Sequence, residues 1–292
     1  MEVDPTKARG HIISDETFCF TEDLCKLYHL CIGFNKDPLD EDDLKFTYEY
    51  DDDFTTFPTI CLLAMKNIHL KVFDTPGLPS LKPEQLLHGE QIVESFKSII
   101  PGSTVKCIAS VEDVADKIKG MLVTIRIDIL DPDDNEIHYS RCYMKCYVKG
   151  CGGFGDKGIL DLKIPSPPTR DPDDILEIQT DKRLALFYRL CGDLNPLHIV
   201  PKAAQSVGFP SPILHGLCTY GIITNAIYKT YCPQDHTSIK KISARFASPI
   251  FPGETITLHL YKSDCSIFFT AFTSPSLPAC IGVISLSSTA KL

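Results

Sequence analysis

This 292-residue sequence lacks a basic excess: 29 lysines and arginines stand against 38 aspartates and glutamates, for a net charge of −9. General nucleic-acid binding needs a positive face, so that class of partner is excluded. An anionic small ligand is not, because a few local lysines can hold phosphates. No stretch approaches the ~20 consecutive apolar residues of a membrane span. The opening residues, MEVDPTKARGHI, have no apolar core and do not resemble a secretory leader. No Asn-x-Ser/Thr acceptor and no Cys-x-x-Cys pair occur, although there are 13 cysteines. Reduced thiols in an intracellular compartment are the reading. Cys142, Cys146 and Cys151 lack the spacing of a zinc site, so no metal is expected.

Two motif-like stretches are incomplete. The acidic run over residues 37–53 lacks the glycine and terminal glutamate of a calcium loop, and reads as a solvated face. Residues 150–155 (GCGGFG) match a dinucleotide fingerprint, but prolines rather than a helix follow. A glycine turn leaving a sheet is the better account, and no cofactor is expected.

What the chain does have is internal repetition. YHLCIGFN (28–35) resembles YRLCGDLN (188–195). LLHG (86–89) resembles ILHG (213–216). PGSTV (101–105) resembles PGETI (252–256). The order is the same in both halves. The interval after His-Gly is long in the second half and apolar, which predicts a long helix opening at Gly216. In the first half the equivalent helix, over 91–100, has to be short. Residues 1–20 read as irregular, and Thr21 with Glu22 and Asp23 reads as a helix start. Alternating runs predict strands at 105–111, 121–130, 138–148, 242–246, 255–262, 267–273 and 279–287. The expected class is therefore α+β: a helix laid on an antiparallel sheet, twice. The units are 1–155 and 176–292, with a proline-bearing linker at 156–175.

The chemistry concentrates in Gly192-Asp193-Leu194-Asn195-Pro196-Leu197-His198. Gly192 permits a turn and Pro196 stiffens it. Asp193 and His198 then face one point as an acid/base pair able to activate water, and the Asn195 amide holds loop or ligand. Gly216 at a helix start offers a free N–H to a developing oxyanion. The bland alternative is that Asp193 caps a helix, His198 is a packed loop residue and Gly216 permits close packing.

GDLNPLH, PILHGLCTYG, ARFASPIFPGET and the first-half LLHGEQ together resemble the (R)-specific, MaoC-like enoyl-CoA hydratases, in the type-2 form of peroxisomal β-oxidation. The resemblance covers nearly the whole chain. It implies a double hot-dog fold with a catalytic C-terminal half and an N-terminal half that binds acyl chain and CoA. It implies syn addition of water to a trans-2-enoyl-CoA, giving the (3R)-3-hydroxyacyl-CoA. Asp193 and His198 then match the catalytic pair, Asn195 the assisting amide and Gly216 the oxyanion donor. His88, Gly89, Lys117 and Phe246 fall where the family contacts acyl-CoA, with Leu194, Pro196 and Leu197 of the loop beside them. Lys117 becomes a phosphate partner. Val200 stands where relatives often carry Asp. The chain ends in Ala290-Lys291-Leu292, a variant of the Ser-Lys-Leu address read by the peroxisomal import receptor. A peroxisomal, stand-alone, homodimeric hydratase is the expectation. A thioesterase and a non-catalytic acyl-CoA binding protein are the alternatives in the same fold.

Overall fold

β-Branched residues in alternating runs fill the later part of each half, and these runs fold as strands. In the computed structural model, which describes residues 3–65, 68–80, 85–274 and 277–288, ten strands form one antiparallel sheet. The first half supplies β1 (Ile12–Cys19), β2 (Leu86–Ser95), β3 (Thr104–Asp116), β4 (Gly120–Leu130) and β5 (His138–Lys149). The second supplies β6 (Asp174–Gln179), β7 (Ile239–Phe246), β8 (Thr255–Ser263), β9 (Ser266–Ser274) and β10 (Leu277–Leu286). Their order is β1-β3-β4-β5-β2-β7-β10-β9-β8-β6. Outwards from the centre, the sequence of strands is the same on both sides. Two five-stranded units therefore meet along β2 and β7, where Gln91 pairs with Ala244 and Val93 with Ile242. Arg245–Glu90 at 2.8 Å and Lys241–Glu94 at 2.9 Å tie this seam.

Among the described residues seven α-helices accompany the sheet: α1 (Pro5–Ala8), α2 (Glu22–Cys31), α3 (Leu44–Thr47), α4 (Ile68–Lys71), α5 (Leu184–Tyr188), α6 (Pro201–Ser206) and α7 (Gly216–Tyr231). The Thr21 hydroxyl accepts the Leu24 N–H at 3.2 Å and caps α2, as its sequence foretells. α7 is buried along most of its length. It sits on β7, where the Tyr220 hydroxyl donates to the Ile242 carbonyl at 2.9 Å. It also touches the end of α2: the Asn225 amide donates to the Ile32 carbonyl at 3.1 Å. A sheet laid over a helix, in two units sharing one sheet, is the double hot-dog fold of the α+β class. Among the described residues no helix is long and apolar enough to cross a membrane.

Several local expectations fail. The segment expected to be irregular, 1–20, contains β1 at Ile12–Cys19, which pairs with β3 along its length. β1 is an edge strand that is largely exposed, with Ser14 as its one buried residue, so hydrophobic alternation gives no signal there. The first-half segment 91–100 is no helix. Gln91–Ser95 belong to β2, whose Ile92 and Val93 are buried at the seam. The two Leu-His-Gly stretches are consequently not equivalent: His88 lies on a strand and His215 at a helix start. The 3-10 segment Pro58–Met65 of the first half also packs against α7. The proposed linker overlaps β6 at 174 and 175. The acidic run is not wholly solvated either. Asp43 is 2 % exposed, and its carboxylate accepts the Asn35 N–H and the Lys229 ammonium.

Candidate active site

The loop after α5 is shaped by its own side chains. Gly192 has φ +127°, a left-handed geometry that favours glycine. Asp193 Oδ1 accepts the Asn195 N–H at 3.1 Å. Asn195 Oδ1 accepts the Leu197 N–H at 3.0 Å and caps the 3-10 turn Pro196–His198. Asp193 thus bends the loop, and Asn195, not Asp193, is the cap. These bonds turn His198 inward, where it is 8 % exposed. Its Nδ1 lies 2.8 Å from the Ile213 carbonyl. A carbonyl only accepts, so Nδ1 carries the hydrogen and Nε2 presents a lone pair. Burial lowers the pKa of His198 from its usual 6.5, while the Ile213 bond and the Asp193 charge act upwards. The ring is therefore held neutral, as a base requires.

His215 stacks on His198, with ring centroids 3.8 Å apart and planes 26° apart. Burial, and then the neighbouring His198, push its pKa down to about 3. Among the described residues, one trio of ligand-type side chains converges: Asp193, His198 and His215, within 4.8 Å of one another. Gly216 follows as the first residue of the 16-residue helix α7, and no side chain caps that end. Its N–H belongs to the unsatisfied first turn, at the positive end of the helix dipole. A methyl group at Gly216 would meet the Phe246 ring at 3.5 Å, an ordinary contact. Packing therefore does not demand the glycine, but a methyl there would stand beside Phe246 at the cavity wall.

These groups open into a cavity of about 510 Å³. The sequence-chosen Asp193, Asn195, Leu197, His198 and Gly216 line it, and so do Phe246 of β7 and, from across the seam, His88 and Gly89. Gly89 sits where β2 slips register against β5, a bulge between His88 and Glu90. His88 packs edge-on against Phe246, with centroids 5.4 Å apart. The rest of the wall is largely apolar and comes from both halves: Leu62, Leu63, Met65 and Met144 from the first, Leu214 and Leu217 from the second.

Three sequence-chosen residues are not brought here. Leu194 and Pro196 point away on the exposed side of the loop. Lys117 lines a separate hollow of about 400 Å³, with Lys145, Lys157 and Lys163. Val200 occupies the cap position of α6 without capping it. Sequence reasoning passed over His215, although it is a titratable side chain immediately before the chosen Gly216. It also passed over Leu62–Met65, whose only signal is an apolar run.

Residues 163–273 match the family described as MaoC like domain, and residues 18–146 match the MFE-2 hydratase 2 N-terminal domain. A Dictyostelium discoideum protein named probable enoyl-CoA hydratase 2 is 33% identical over 279 residues, covering 94% of this chain and 92% of that one. The peroxisomal multifunctional enzyme type 2 of Mus musculus is 35% identical over 269 residues. That match takes in 90% of this chain but 35% of the mouse protein, so the chain spans about a third of its length. Among solved structures, a MaoC-like dehydratase from Phytophthora capsici superposes with a TM-score of 0.86 over 98% of each chain, at 30% identity.

Proposed function

The chain belongs to the MaoC-like family in its hydratase 2 branch, and on that premise we propose that it hydrates trans-2-enoyl-CoA to (3R)-3-hydroxyacyl-CoA in fatty-acid metabolism. The observation that carries the reading is one convergence. A carboxylate, an imidazole lone pair and the open N-terminus of α7 meet in one largely apolar cavity. The names of the relatives support the hydratase activity.

The steps follow from the groups present. The enoyl chain lies against the apolar wall with its thioester oxygen at the Gly216 N–H. A water held by Asp193 and His198 attacks the β-carbon and passes one proton to His198 Nε2. The double-bond electrons shift towards the thioester oxygen, whose growing charge is met by the helix end. The α-carbon then takes a proton from the Asp193–His198 pair, which returns to its starting state. Because one pair both takes and gives the proton, both additions fall on one face, which is syn. The (3R) hand is that of the family resemblance.

A division of labour goes with this. Residues 1–155 help hold acyl chain and CoA, 156–175 link the halves and 176–292 carry the catalytic groups. Peroxisomal import through Ala290-Lys291-Leu292, which lies outside the described residues, and a homodimeric state are further parts of the proposal. A fluorescent fusion that keeps Leu292 as the free C-terminus is expected to enter peroxisomes, and a cytosolic signal would remove that part.

The deciding measurement is loss of the enoyl-thioester absorbance with trans-2-decenoyl-CoA, coupled to chiral analysis of the product. Loss of the band with (3R)-3-hydroxydecanoyl-CoA is expected. Release of free CoA instead would favour a thioesterase. Tight binding without turnover would leave an acyl-CoA carrier.

A further inference from the structure

The segment that leads into the catalytic loop has an outer side the chemistry leaves unused. α5 and the 3-10 turn Arg189–Cys191 that continues it bury Leu184, Ala185, Tyr188 and Cys191, of which Tyr188 and Cys191 line the cavity. The opposite stripe falls at positions 183, 186, 187 and 190, the i, i+3, i+4, i+7 spacing of one helix face. A surface helix normally turns charged or polar residues to that side. Here Leu186 is 52 % exposed, Phe187 40 % and Leu190 58 %. Leu194, 54 % exposed, continues the apolar side into the loop. A single exposed apolar residue is ordinary, whereas a row of them marks a contact surface. A helix that is apolar on both faces has a use for both.

The charge along this segment differs from that of the rest of the molecule. Residues 181–208 hold four cations, Lys182, Arg183, Arg189 and Lys202, against two carboxylates, Asp181 and Asp193. Four less two makes the segment +2 on a chain of −9, which leaves −11 for the remainder. Asp193 lines the cavity, and Asp181 is held by Arg183 at 3.1 Å. Lys182, Arg183 and Lys202 are exposed. Arg183 lays its guanidinium over the Phe187 ring, 5.3 Å from the centroid, so charge and apolar surface adjoin.

That charge selects the partner. A second copy meeting this stripe through a two-fold axis would present the same stripe, because such an interface is self-complementary. Cations would then face cations. A negative surface is attracted instead. Leucine and phenylalanine flanked by lysine and arginine are the composition of segments that lie in a bilayer interface. The apolar side chains enter the acyl boundary while the long basic ones reach the headgroups. We propose that the stripe Leu186, Phe187 and Leu190, with Leu194 beyond it, is a docking surface for an anionic lipid bilayer. Docking is peripheral and reversible, since so few apolar side chains and cations fall short of a stable anchor. The homodimer proposed above uses another face.

The test is co-sedimentation of the full chain with vesicles, either of phosphatidylcholine alone or of equal parts phosphatidylcholine and phosphatidylserine. At low salt, binding to the mixed vesicles is expected to exceed binding to the neutral ones by at least about tenfold, from four cations near a negative surface. The excess should vanish near 1 M salt, where the Debye length is about 3 Å. Leu186→Ser with Leu190→Ser should abolish binding and leave Tm unchanged, because both side chains are already exposed. Lys182→Glu with Lys202→Glu should remove the preference for phosphatidylserine. Equal binding to both vesicles, binding to neither, or full binding by the leucine variant would overturn the proposal. So would a parent dimer that the leucine variant turns into a monomer in sedimentation velocity, since the stripe would then join two copies. If the leucine variant loses Tm, an undiminished phosphatidylserine preference in the lysine variant overturns the proposal in its place. Vesicle binding does not depend on turnover, so a chain that sediments with lipid but fails to hydrate trans-2-decenoyl-CoA would remove the hydratase reading and leave the docking surface.

Discussion

An imidazole serves as a base only in its neutral form, and the surroundings of His198 extend the range in which it is neutral. Burial places its pKa below 6.5, so the base form predominates at neutral pH and is lost as pH falls through the lowered value. kcat/KM is therefore expected to be flat near pH 7, with an acid limb whose midpoint lies below 6.5. A limb centred above pH 7 would rule His198 out as the base. Asp193→Asn or His198→Gln should lower kcat by about 10²–10⁴-fold, while a saturated acyl-CoA still binds in a titration. Near-normal turnover in either would end the pair's role. Asp193 and His198 could be paired from sequence because they stand five positions apart on one loop whose glycine and proline announce the turn. Lys117 could not be placed, since its position depends on the β3–β4 hairpin. The Leu62–Met65 wall was equally out of reach, because it depends on a contact between distant segments. His215 was hidden differently: beside Gly216 it read as part of a helix start.

At the scale of elements, α2 and α7 cross closely, and Gly221 is the residue that lets them. A Cβ there would stand 2.5 Å from Ile32 Cγ2 and 3.0 Å from the Tyr28 hydroxyl oxygen. Ile32 branches at Cβ, so its methyl has little freedom to move. Gly221→Val gains at most about 0.5 kcal/mol of helix propensity, against about 1–3 kcal/mol for overpacking. The clash wins, and urea melts are expected to show a net loss of about 2 kcal/mol. A variant as stable as the parent would mean the helices do not touch there. The long helix α7 was legible because its apolar run follows a clear start signal. The interior strands were legible by their alternation. β1 and β6 were not: the edge strand β1 is largely exposed, and β6 alternates on one face only, next to prolines. The seam strand β2 was mistaken for a helix because a three-letter match to His215-Gly216 outweighed the β-branched pair Ile92-Val93.

The whole molecule behaves as one body if its two halves bury what neither can bury alone. The β2–β7 seam satisfies backbone groups that would otherwise form an open sheet edge. α7 of the second half packs its glycine face on α2 of the first, and Tyr28 and Tyr188 face each other across the halves with centroids 6.2 Å apart. The cavity itself has walls from both halves. Neither 1–155 nor 176–292 therefore has a complete core, although the repeat in the sequence invites reading them as separate domains. The full chain is expected to unfold in a single urea transition. The sequence has 11 tyrosines, spread over both halves, and no tryptophan, so tyrosine fluorescence reports side-chain packing in both halves while far-UV circular dichroism reports the sheet. The two curves should coincide. The segment 176–292 produced alone should not be a folded monomer, since β7 and the α2-facing side of α7 would be bare. Two separated transitions, or a soluble folded monomer of the second half, would show instead that the halves are independent domains, and that the active site is assembled by docking rather than by folding.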